Sequence, residues 1–141
     1  MPLIKYNFLP DIFIHPNTRK LGTIYRPYVL VKIGDGNKWS GNFIKALIDS
    51  GADHNVFPSS FAAEVGIDYT KGEYKQIIGV SDLPIDSYVN FAKIKIENKE
   101  IETVIQFGEK IQMPLLGREG FFNYFDYIKF NAKKRFLEIK Y

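Results

Sequence analysis

The stretch Lys45-Ala46-Leu47-Ile48-Asp49-Ser50-Gly51-Ala52-Asp53-His54-Asn55-Val56-Phe57-Pro58 decides how the rest of the chain is read. Its apolar run, Ala46-Leu47-Ile48, has the length and branching of a buried strand. The run stops at Asp49-Ser50-Gly51. A glycine two places after a carboxylate marks a sharp turn, because glycine accepts backbone conformations closed to other residues. Asp49 is therefore expected where a buried strand breaks into a loop. An ionised carboxylate is poorly solvated there unless it is hydrogen-bonded or paired. That makes Asp49 a candidate for chemistry, with a turn-capping aspartate as the plain alternative.

The flanks read as short strands. Upstream, Tyr28 to Ile33 is a strand, Gly34-Asp35-Gly36-Asn37 a hairpin turn, and Trp39 to Ile48 the returning strand that delivers Asp49. Downstream, Val56-Phe57 is a short apolar run. Ser59 to Val65 reads as a helix begun by Pro58 and the serines and stopped by Gly66. Tyr74 to Ile78 and Ile85 to Val89 form two arms around Gly79-Val80-Ser81-Asp82-Leu83-Pro84. Phe91 to Glu97 alternates and turns at Asn98-Lys99 into Ile101 to Phe107. Arg118 to Phe125 reads as helical. Tyr127 to Phe130 and Phe136 to Tyr141 make a last hairpin. At the start, Leu3 to Phe8 is a strand, Ile12-Phe13-Ile14 an edge strand or packed loop, and Asn17 to Lys20 an exposed turn. Short strands at regular spacing with two short helices predict an all-β closed barrel or sandwich.

Bulk composition agrees. The 141 residues fit one domain, 1–141, with residues 1–25 as an N-terminal extension or edge strands. Twelve Phe and nine Tyr suit a β-rich protein. A net charge of +3 is too small to argue for nucleic acid, and Lys133-Lys134-Arg135 reads as a solvated turn. The absence of cysteine excludes disulfides and thiolate metal sites. No apolar run approaches the roughly 20 residues that span a bilayer, and the first residues lack a signal-peptide core. A cytoplasmic protein with no membrane partner is the expectation.

A second segment, Met113-Pro114-Leu115-Leu116-Gly117-Arg118-Glu119, completes the pattern. Leu47-Ile48-Asp49-Ser50-Gly51-Ala52-Asp53 resembles the active-site signature of the retropepsin-like (retroviral-type) aspartic proteases. The later segment is similar to that family's second signature, apolar residues followed by Gly, Arg and an acidic residue. The resemblance covers about Tyr28 to Tyr141. It implies a closed acid-protease barrel with one or two short helices and an active site at a homodimer interface. It implies an aspartic endopeptidase without a cofactor or metal, acting on extended peptide or protein substrates. Only one Asp-Ser-Gly is present, so the second carboxylate is expected from a second copy.

The residue roles implied are these. Asp49, Ser50 and Gly51 form the catalytic loop, with the Ser50 hydroxyl bonding the partner's loop. Ala52 and Asp53 bind substrate backbone, and Asp53 pairs with Arg118, which with Gly117 supports the site. Ile78, Gly79 and Val80 belong to a flap that closes over peptide, the alternative being an ordinary surface hairpin. A serine nucleophile at Ser50 is disfavoured. Only His15 and His54 could serve it, and no Gly-x-Ser-x-Gly elbow is present. His15, His54 and Trp39 have no partners at metal-ligand spacing and receive no site. The alternative to an enzyme is a catalytically silent retropepsin-like module that dimerises or binds peptide.

Overall fold

Alternation of apolar and polar side chains drives this chain into strands whose apolar face points inward. A computed structural model describes residues 3–79 and 83–141. In chain order the elements are β1 (Leu3–Asn7), β2 (Leu9–Ile14), β3 (Leu21–Arg26), β4 (Tyr28–Gly34), β5 (Ile44–Ile48), β6 (Asn55–Pro58), α1 (Ser60–Glu64), β7 (Glu73–Ile77), β8 (Ile85–Ile96), β9 (Lys99–Gly108), β10 (Leu115–Leu116), β11 (Tyr127–Asn131) and β12 (Phe136–Lys140).

Six strands close on themselves in the order β4-β5-β10-β6-β9-β8, with β8 returning to pair with β4. Closure leaves this ring without a free edge. Most neighbours are antiparallel, but β5 with β10 and β6 with β9 run parallel. The shortest strand does the most topological work. Leu115 and Leu116 of β10 lie beside Leu47 and Ile48 of β5, and Leu115 also faces Val56 of β6. Two segments more than sixty residues apart in the chain (Ile48 and Leu116 are paired) thus meet at one end of the barrel. The fold expected from sequence, a closed β barrel, is the one found.

The barrel interior holds Val29, Val31, Ile33, Ala46, Phe57, Ile94, Ile105, Phe107 and Leu116, all buried. Each of the Val, Ile, Leu and Phe side chains among them contributes on the order of 1.5–3 kcal/mol by leaving water. A second sheet, β1-β12-β11, joins this core through Ile4, Leu137 and Ile139. Among the described residues β2 and β3 pair only with each other.

Four local expectations change. β5 begins at Ile44, not Trp39. Trp39 forms only a bridge to Gly34, and the Ser40 hydroxyl accepts the Ile33 N–H at 3.2 Å in place of a ladder bond. β8 is one continuous strand from Ile85 to Ile96 rather than two. β3 was not expected, because Leu21-Gly22-Thr23-Ile24-Tyr25-Arg26 shows no clean alternation. The segment from Arg118 to Phe125 is a tight turn with a 3-10 turn at Phe122–Tyr124, not a helix. Phe121 departs from helical geometry (φ −140°, ψ −57°), and the Gly120 carbonyl that a helix would use is taken by side chains of Asn55 and Thr103. Among the described residues no helix is long and apolar enough to cross a membrane.

Candidate active site

β5 ends at Ile48, and Asp49 follows with its backbone held on both sides. The Asp49 N–H donates to the Leu116 carbonyl at 3.0 Å, and the Ile48 N–H to the Pro27 carbonyl at 3.0 Å. The chain then turns sharply. The Gly51 N–H donates to Asp49 Oδ1 at 2.9 Å, and the Ala52 N–H to the Asp49 carbonyl at 3.1 Å. One carboxylate oxygen is thus fixed in place by the loop's own backbone. Asp49 is half-buried, whereas Ser50 and Gly51 are exposed.

The second segment is bonded directly to this loop. Arg118 N–H donates to the Ala52 carbonyl at 2.9 Å, and Glu119 N–H to the Asp53 carbonyl at 2.8 Å. The Arg118 guanidinium also pairs with the Asp53 carboxylate, with both side chains exposed in the single chain. Gly117 is buried where the two segments cross. A Cβ there would lie 2.5 Å from the His54 carbonyl oxygen and 2.8 Å from that of Ala52, both backbone atoms that cannot step aside cheaply. Only glycine lets the segments approach this closely.

One residue that holds the site was not expected from sequence. Asn55 is fully buried. Its amide donates to the Gly120 carbonyl at 2.7 Å and the Val104 carbonyl at 3.1 Å, and its Oδ1 accepts the Gly117 N–H at 3.2 Å. Thr103 adds a hydroxyl donor to the same Gly120 carbonyl at 2.7 Å. The signal was available as a polar amide heading a buried apolar strand, a place where it must find partners or cost stability.

The hairpin of β7 and β8 pairs Ile77 with Ile85 at its outer end. Tyr74 donates to Asp86 at 2.5 Å across the two strands, and Ser87 to the Lys75 carbonyl at 2.6 Å. The contact with Asp86 raises the Tyr74 hydroxyl's pKa. Ile78 and Leu83 beyond the paired region are strongly exposed, and Gly79 is exposed. Val80 lies outside the described residues.

The sequence between 31 and 119 matches the family model described as aspartyl protease. The chain belongs to the aspartyl protease family. Among solved structures, a retropepsin-like aspartic protease from Rickettsia conorii superposes with a TM-score of 0.62 at 17% identity, covering 100% of this chain and 96% of the other. That likeness gives the barrel its name, a retropepsin-like fold. The EIAV protease complexed with the inhibitor HBY-793 superposes with a TM-score of 0.45 at 21% identity, covering 75% of this chain and 89% of that one. No curated protein matches the chain. Within the family's matched region lie Asp49, the loop to Asn55, and the Gly117-Arg118 segment bonded to it.

Proposed function

We propose that this chain is one half of an aspartic endopeptidase that assembles as a homodimer and cleaves extended polypeptides. The observation that carries the reading is the half-buried Asp49 carboxylate, oriented by the Gly51 N–H on a loop bonded to the Leu116–Glu119 segment. Two copies would face their Asp49 side chains across a two-fold axis. Like charges a few ångström apart cannot both ionise easily, so the pair shares a proton. The ionised member takes a proton from water as it attacks the scissile carbonyl carbon. The protonated member polarises the carbonyl oxygen, and collapse of the tetrahedral adduct breaks the C–N bond as the amine leaves protonated. The pair titrates as one unit.

The remaining residues take supporting parts. Ser50, exposed at the loop, would bond the partner's loop across the axis. Ala52 and Asp53 would meet the substrate backbone, with Arg118 and Gly117 fixing the loop that carries them. Ile78, Gly79 and Val80 would close over the peptide and exclude water. The exposed Ile78 and Leu83 favour apolar side chains near the cut. No cofactor is needed for this chemistry.

Incubation with denatured casein at roughly pH 4 to 7 should give cleavage by the wild type and none by Asp49→Asn. Turnover by Asp49→Asn close to wild type, with its fold intact by circular dichroism, would end the reading.

A further inference from the structure

The β2–β3 hairpin is an arm with an uncovered apolar face. Ile12, Ile14 and Leu21 are 72%, 62% and 74% exposed, and Ile14 and Leu21 are directly opposite in the pairing register. The other face is occupied, since Phe13 lies across Gly22 and packs edge-on against His15 at 4.7 Å. An isolated two-stranded hairpin is marginally stable in water. This one is anchored at its base only. Tyr28 donates to Asp11, Arg26 Nε lies 3.3 Å from the same carboxylate, and the Arg135 guanidinium sits 4.1 Å from the Tyr25 ring. Three large apolar side chains toward the tip have no cover among the described residues.

The arm's base fixes where it stands. Arg26 ends β3, and the Pro27 carbonyl that follows accepts the N–H of Ile48, the residue before Asp49. The arm therefore springs from beside the catalytic loop. On the proposed reading, two Asp49 loops meet at the dimer axis, which puts each arm's root at the seam. Six residues of strand reach about 20 Å. The arm's tip carries His15, Arg19 and Lys20 and no carboxylate between them.

A groove of about 660 Å3 offers the matching surface. Phe91, 89% exposed, and Val104 give it an apolar stretch of lining, while Asp35, Glu102 and Glu119 make the lining acidic. Lys93 also lines it, and is paired with Glu102 at 3.5 Å. Its wall includes His54, next to Asp53 on the loop from Asp49, so it too borders the seam. We propose that in the dimer each copy's β2–β3 arm lies in the other copy's β8–β9 groove, Ile12, Ile14 and Leu21 covering Phe91 and Val104. This inference rests on the two-chain reading of the site. It assigns the arm the task of clasping a second copy, with the cationic tip meeting the acidic lining.

The cysteine-free chain makes the test direct. Chains carrying Ile14→Cys are mixed with chains carrying Phe91→Cys and oxidised with a short thiol crosslinker. A covalent dimer containing one of each is expected. Sedimentation of Ile12→Asn/Ile14→Asn/Leu21→Asn, whose changes are all at exposed positions, should show a dimer dissociation constant raised about tenfold or more. No mixed covalent product, or an unchanged dissociation constant, would overturn the arm's role. Asp49→Asn separates the two ideas. If it is inactive while the arm tests fail, the arm inference alone falls. If it keeps full turnover, the protease reading falls, and the crosslink still decides whether the arm clasps a second copy.

Discussion

Asn55 gives the most direct measure of how the site is held. From a fully buried position it makes three short hydrogen bonds, to Gly120, Val104 and Gly117, and a long fourth to the Thr103 hydroxyl at 3.5 Å. In Asn55→Ala the three short bonds and the long one vanish together, and the Gly117 N–H is left without its acceptor. The Gly120 carbonyl keeps the Thr103 hydroxyl, so the loss there is partial. At about 1 kcal/mol net per neutral bond, the cost should be on the order of 3 kcal/mol. Against a total stability of roughly 5–15 kcal/mol the protein still folds, but its melting temperature should fall by roughly 10 °C. Urea unfolding at constant m would report the loss. Cleavage rate per folded chain should fall as well, because Asn55 fixes Gly117, which crosses the Asp49 loop. Asn55→Asp provides the contrast. Its carboxylate would face two carbonyl oxygens, so its pKa in the fold would be raised. That variant should gain stability as pH falls below the folded-state value and lose it as pH rises. An Asn55→Ala protein within about 1 kcal/mol of wild type, with unchanged turnover, would refute the claim that this amide joins the two segments.

Two further outcomes test separate contacts. Asp53 and Arg118 are 61% and 56% exposed at their side chains in the single chain, so a double-mutant cycle of Asp53→Asn and Arg118→Lys on dilute monomer should give a coupling of only about 0.2–1 kcal/mol; at concentrations where the dimer forms the coupling should grow, and effects that simply sum in both regimes would show that the pair does not hold the loop. Tyr28 has its pKa raised by burial and by its bond to Asp11, so its neutral form stabilises the fold fully below the unfolded value near 10 and progressively less as pH rises from there through the folded value; alkaline unfolding of Tyr28→Phe should therefore lose part of the stability decline seen in wild type, the part due to Tyr6, also raised, remaining.

Which features were legible in the sequence follows from the range of the forces involved. The strand–turn chemistry of Leu47-Ile48-Asp49-Ser50-Gly51 is local, and it placed Asp49 at the end of β5. The alternation of Phe91 to Glu97 and of Ile101 to Phe107 likewise set the β8–β9 hairpin. The meeting of β5 with β10 was not legible from periodicity, because β10 is only Leu115 and Leu116 and two residues carry no period; the resemblance of its motif implied only the Asp53–Arg118 pairing. The helix expected at Arg118 failed for a tertiary reason, since Asn55 and Thr103 capture the Gly120 carbonyl. β3 was missed because its solvent-facing apolar residues break the pattern that a half-buried strand should show. Both misses sit at positions where another part of the molecule, or on the proposed reading another molecule, sets the local structure.

On the proposed reading, the distribution of burial around Asp49 bears on why one chain would not be enough. The groups that hold the loop are inside: Asn55, Gly117 and Leu116 are buried, and the amide and carbonyl groups of this crossing are bonded. The groups to which that reading assigns chemistry are outside: Ser50, Gly51, Asp53 and Arg118 are exposed, and Asp49 is half so. A finished active site in a single chain would work by excluding water from its carboxylates. Here the support is complete within the chain, while the reactive face is open. A second copy brought against that face would supply the missing carboxylate and the missing desolvation together. Dimerisation would then switch on the chemistry by changing the surroundings of Asp49, with little rearrangement of a loop already fixed by Gly117 and Asn55.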